Sequence, residues 1–166
     1  MFSLKPISHE SVAGALSKAE RYRLLNEPGE AESICRDILE IEPENQQALI
    51  SLLLSMTDQI AHDTGSFAEA LAIAHRLASP YDRAYYAAIA WERRARNRYS
   101  AGGHSARRYA YDWLVNALNL FEEAERLRPP GNDDAVLRWN TCVRYLARHP
   151  EIAPAGDETP EPIVSE

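Results

Sequence analysis

One small-apolar template occurs three times in this chain: Ala31, Ile34, Cys35 and Ile38; then Ala70, Ile73, Ala74 and Leu77; then Ala117, Leu120, Phe121 and Ala124. Offsets of three, four and seven residues draw one stripe along an α-helix, so each copy specifies a helix with a single apolar face. Such a face has to be buried against a neighbour, and its recurrence marks stacked helical units rather than one closed globule. The first and third copies also close alike. Ile41 and Pro43 correspond to Leu127 and Pro129, and a proline just past the stripe ends a helix. A second stripe alternates with the first: the spacing of Leu49, Leu52, Leu53 and Met56 returns in Ala84, Ala87, Ala88 and Trp91. The two stripes supply the two helices of a repeated hairpin.

Turn and cap signals divide the chain into seven helices. Ile7 before Ser8, with Val12 beyond, forms a hydrophobic staple for a first helix carrying Val12, Ala15, Leu16, Ala19 and Tyr22. Asn26-Glu-Pro-Gly29 breaks it, and Pro28 falls at the start of the second helix. The third begins near Asn45 and is apolar nearly all round, because Ile50 and Leu54 add to its stripe; it requires cover on more than one side. Ser66 with Glu69 makes a capping box for the fourth, and Ser79 with Pro80 and Asp82 opens the fifth. After Ala101-Gly-Gly103, Ser105 caps the sixth and longest helix, with Tyr109, Trp113, Ala117, Leu120, Phe121, Ala124 and Leu127 inward. Asn132 caps the seventh, whose apolar set of Val136, Trp139, Val143 and Leu146 covers the open end of the stack. The expected organisation is an N-terminal extension over 1–7, a helical repeat domain over 8–148 and a disordered acidic, Pro-rich tail over 149–166.

Charge narrows the function classes. The net charge is −7, and residues 150–166 hold five acids and no base. An acidic total argues against a general nucleic-acid binder, which needs a contiguous basic face. The positive charge is concentrated in 83–128, with nine basic against five acidic side chains. Cys35 and Cys142 read as small buried hydrophobes rather than a disulfide or ligand pair. The first ten residues lack the apolar stretch of a signal peptide, and no apolar run approaches the roughly 18–20 residues that span a bilayer. A cytoplasmic location is expected, and the excess of Arg over Lys suggests GC-rich coding and a bacterial source.

Gly29-Glu-Ala-Glu-Ser-Ile-Cys-Arg-Asp-Ile-Leu-Glu-Ile-Glu-Pro43 and Ala117-Leu-Asn-Leu-Phe-Glu-Glu-Ala-Glu-Arg-Leu-Arg-Pro129 resemble the second helix of a tetratricopeptide repeat. The resemblance covers roughly residues 8–148 and implies an all-α, right-handed superhelix of about three and a half helical hairpins. The copies lie 39 and 47 residues apart (31 to 70, 70 to 117), longer than the family's 34, and Ala19, Leu53 and Ala88 replace its first-helix glycine. The family implies a protein-binding scaffold or accessory subunit of a larger complex, with the first helices of successive pairs lining a concave groove. Carried over, that groove includes Leu16, Glu20 and Arg23; Ile50, Leu54 and Asp58; Tyr85, Ile89 and Arg93; and Leu137, Thr141 and Tyr145. The expected partner-binding residues are Ile50, Leu54, Tyr85, Ile89, Arg93, Leu137 and Tyr145.

The segment 93–108 is the sharpest local anomaly, with Arg93, Arg94, Arg96, Arg98, Arg107 and Arg108 interleaved with Tyr99 and followed by Tyr109, Tyr111 and Trp113. Arginines among aromatics can hold phosphates while rings stack bases. The same residues also read as an ion-paired surface or a patch for an acidic protein partner. Anion or nucleic-acid binding here is the alternative function, and the acidic tail is an internal candidate to lie against the patch. No nucleophile elbow, phosphate loop or metal-ligand spacing is present; Asp58 and His62 stand four apart, but two potential ligands do not make a site. The expectation is a non-enzymatic protein without cofactor or metal.

Overall fold

A computed structural model describes residues 2–59, 65–103 and 105–154, and these are all-helical. A short 3₁₀ turn, His9–Ser11, leads into α1 (Val12–Leu24), followed by α2 (Pro28–Ile41), α3 (Gln46–Asp58), α4 (Gly65–Arg76), α5 (Pro80–Ala101), α6 (Ala106–Leu127) and α7 (Asp134–Arg148). Each helix packs on the next, and α3 also reaches α1 and α5.

The helix starts show which local signals act. Pro28 and Pro80 occupy the opening positions of α2 and α5, where a missing N–H costs nothing. The Asn45 Oδ1 accepts from the Ala48 N–H at 3.0 Å, and the Ser79 Oγ from the Asp82 N–H at 3.2 Å. Other caps differ from expectation. Ser66 lies inside α4 rather than ahead of it. Ser8 and Ser105 make no side-chain cap bond, and Ser105 stands at φ 62° as the chain leaves Gly102 and Gly103, both also at positive φ. Asp133 directly precedes α7, while Asn132 accepts the Asp134 N–H at 2.9 Å.

Two main clusters form the core. Ala19, Ala31, Cys35, Leu53, Met56 and Ala74 are among those that join α1 to α4; Ala88, Ala95, Leu114, Phe121 and Cys142 are among those that join α5 to α7. The α5–α6 contact is the most extensive, because Ala88, Ala95, Ala106, Ala110 and Ala117 line the buried faces of these helices and admit close approach. That seam corrects the inward face expected for α6. Ala110 and Leu114 point in, whereas Tyr109 and Leu127 are exposed, since large side chains would hold the backbones apart. On α7 the buried residues are Ala135 and Cys142, and Val143 is exposed. The apolar third helix is covered from two sides: Leu49, Leu52 and Leu53 are buried, and Ile50 and Leu54 pack partly against the first cluster.

The domain does not stop at residue 148. Ile152 is only 4% exposed and belongs to the second cluster, its N–H bonded to the His149 carbonyl at 2.9 Å. An Ile flanked by prolines and acids still supplies one large apolar side chain, and that side chain is buried here. The remainder of the expected tail, 155–166, lies outside the described residues.

Candidate functional site: the groove between α1, α3 and α5

Arg23 and Asp58 stand 35 residues apart and meet side by side, Nη2 to Oδ2 at 3.2 Å. Another 35 residues on (58 to 93), Arg93 closes on the other oxygen of the same carboxylate, Nη1 to Oδ1 at 2.8 Å. The Arg93 Nη1 also donates to the Leu54 carbonyl at 3.0 Å and to Thr57 Oγ1 at 2.5 Å. One row of charges therefore crosses α1, α3 and α5. Burial lowers the Arg93 guanidinium from its ordinary value against the opposing pull of Asp58.

On the side of this row toward the start of α1, a groove of about 430 Å³ opens between the same helices. From α1 it is lined by Leu16, Ser17 and Glu20, from α3 by Gln47, Ile50 and Ser51, and from α5 by Tyr86. Leu16, Ser51 and Tyr86 keep the same 35-residue offset as the charged row (16 to 51, 51 to 86). The walls are apolar at the floor, with hydroxyl, amide and carboxyl groups at the rim.

The residues expected to face a partner separate into several environments. Ile50 lines the groove, and Arg93 belongs to the charged row. Leu54 is half-buried between the two core clusters. Tyr86 takes the groove position expected for Tyr85, which stacks on Tyr81 with centroids 5.5 Å apart and meets Phe121 at 5.9 Å. Ile89 is 2% exposed within the second cluster and is a core residue rather than a groove residue, because its face of α5 packs against the cluster shared with α6 and α7. Leu137 is exposed on α7, and Tyr145 packs against His149 and Tyr99.

The Arg-rich segment is divided between faces of α5. Arg94 is sandwiched between Phe67 and Trp113, its guanidinium carbon 4.0 and 4.2 Å from the two ring centres. Arg96 lies over Tyr145 and pairs with Glu92, and Arg98 donates to the Gly102 carbonyl at 2.7 Å. Arg107 and Arg108 are exposed, the latter 4.0 Å from Asp112. The aromatics thus serve as intramolecular partners for arginine, and Tyr99 donates its hydroxyl to Glu151.

Sequence reasoning missed the buried Glu92, whose carboxylate pairs with Arg96 at 2.8 Å and with Arg138 at 3.4 Å. Its i,i+4 spacing to Arg96 was a visible signal; the α7 partner was not. It set Arg23, Asp58 and Arg93 at corresponding groove positions without pairing them, though their alternating charge at steps of 35 was the available clue. Burial pushes the Cys35 and Cys142 thiols up to about 11 and about 12. Among the described residues no group of three or more His, Cys, Asp or Glu could hold a metal ion; Asp58 pairs with arginines, and His62 lies outside those residues. No described helix is long and apolar enough to cross a membrane. In comparisons with protein-family models, curated proteins and solved structures, nothing matches this chain.

Proposed function

We propose that this protein is a non-catalytic binding module that holds a segment of a protein partner in the groove between α1, α3 and α5. On this reading the helices form a tetratricopeptide-like superhelix, and the chain serves as a scaffold or as an accessory subunit of a larger assembly. The observation that carries the reading is the groove itself. Three helices separated by intervening helices contribute to one hollow, and the Leu16, Ile50 and Tyr86 side chains that line it lack the complete burial of the core. A preformed cleft with an apolar floor and a few polar rim groups suits an extended peptide, whose apolar side chains gain by leaving water while its backbone finds donors and acceptors. The arginines of 93–108 weigh less, because Arg94, Arg96 and Arg98 already have partners within the fold.

Affinity purification from the native cell with quantitative mass spectrometry tests this. The comparison is wild type against Ile50→Asp in the groove and Ser33→Asp on the exposed face of α2. The expected result is a partner lost with Ile50→Asp and retained with Ser33→Asp, both variants keeping wild-type circular dichroism. Retention of all partners by a folded Ile50→Asp protein refutes the reading.

A further inference from the structure

The groove and the charged row lie end to end, and their chemistry specifies an occupant. We propose that the partner segment is acidic and aliphatic: one aliphatic or aromatic side chain sits over Leu16, Ile50 and Tyr86, and a neighbouring Asp or Glu side chain docks on Arg23 and Arg93. This rests on the groove being the binding surface.

Charge at the row is unbalanced. Arg23 and Arg93 share the single carboxylate of Asp58, and their side chains remain 21% and 22% exposed. Asp58 receives Nε and Nη2 of Arg23, while the bonds of Arg93 to Leu54, Thr57 and Asp58 all come from Nη1. A guanidinium carries five N–H donors in a planar fork, so each arginine has donors beyond those contacts for a second carboxylate. Arg138 adds a further positive charge felt by Arg93. Two acids oppose this: Glu92 is buried and already paired with Arg96 and Arg138, and Glu20 stands exposed at the groove rim. A partner with a basic residue at the row would meet two guanidinium groups that share one carboxylate; one with a carboxylate replaces water there.

The separation sets the spacing of the two anchors. Leu16 and Arg23 are seven residues apart on α1, about 10 Å at 1.5 Å per residue. An extended peptide covers that distance in about three residues. A nucleic acid offers phosphates for the arginines but nothing aliphatic for the Leu16–Ile50 floor, so a peptide is favoured.

A display library of random linear dodecapeptides, selected on the full chain, supplies the probe. Selected peptides are expected to pair an Asp or Glu with an aliphatic or aromatic residue. Arg23→Gln should weaken the best peptide at least tenfold. Changing the peptide's acid to its amide should cost about the same on wild type and little on Arg23→Gln, a coupling that a merely structural effect of Arg23 would not produce. Loss of binding with Ile50→Asp but indifference to Arg23→Gln overturns the acidic partner and leaves the groove reading standing. Failure to select any peptide, or binding unaffected by Ile50→Asp, overturns both. Tighter binding of a single-stranded oligonucleotide than of any peptide, sensitive to Arg23→Gln, also overturns the proposal.

Discussion

Glu92→Gln removes one buried charge while keeping the side chain's shape, and its consequence can be worked from the contacts. The carboxylate is 2% exposed and faces two guanidinium groups, Arg96 at 2.8 Å and Arg138 at 3.4 Å. Breaking a fully buried ion pair costs about 3–5 kcal/mol. The arginines keep 34% and 36% of their side chains exposed, so water compensates part of the loss. The Arg96 Nη2 also meets Glu92 by proximity rather than through an aligned hydrogen bond. These two facts reduce the expected destabilisation to about 2 kcal/mol. For a chain of this size that lowers Tm by about 4–8 °C, read by scanning calorimetry, and moves the urea midpoint at constant m. Arg138→Gln tests the same contact from α7, and the double variant should be about 1 kcal/mol more stable than the sum of the single effects. A Glu92→Gln protein within about 0.5 kcal/mol of wild type, or strict additivity with Arg138→Gln, refutes an electrostatic tie between α5 and α7.

The remaining predictions concern packing, the terminal segment and titration. Phe121→Ala empties the centre of the second cluster and should cost about 3–5 kcal/mol, measured by urea denaturation. Ile152→Asp should cost about 2 kcal/mol or more and admit proteolysis at 149–154 that wild type resists under native conditions. The Cys35 and Cys142 thiols should resist Ellman's reagent at pH 8 in the folded protein and react promptly in denaturant. Burial also raises Tyr81 and Tyr86 to about 12, so above pH 9 the unfolded chain ionises its cysteines, and then its tyrosines, before the folded chain does. The unfolded state then binds fewer protons, and stability should fall progressively from pH 9 toward 12; a Tm constant across that window contradicts the burial argument.

Much of the helix order is legible in the residues because the signals are local. Pro28, Asn45, Ser79 and Pro80 act within one turn, and each stands at or beside the helix start it announces. The template stripe likewise reports burial directly: Ala70, Ile73, Ala74 and Leu77 are all buried. Reading failed where distance between helices decided the outcome. Along the first half of α6, aromatic size suggests an inward face, but the alanines of α5 and α6 bring the helices close, and Tyr109 is displaced to the rim. The hollow is lined from α1, α3 and α5, and on α5 by Tyr86 rather than the expected Tyr85, although Ile50 and Tyr85 keep a step of 35; the expected alignment departs from that step on α1, where Leu16 is set against Ile50 and not Ser51. The sixfold arginine segment drew attention by composition, yet its charges point to different sides of α5 and α6. The less conspicuous Arg23, Asp58 and Arg93 converge because they share that step.

Site-specific photocrosslinking tests the central claim most directly. A photoreactive residue replaces Ser17 or Ser51 in the groove, or Ser33 on the exposed face of α2. In native cells the two groove positions should crosslink to the same partner segment, while Ser33 should give none of that product. Equal yield of that product from Ser33, or its absence from both Ser17 and Ser51, would contradict the assignment of the α1–α3–α5 groove as the binding surface.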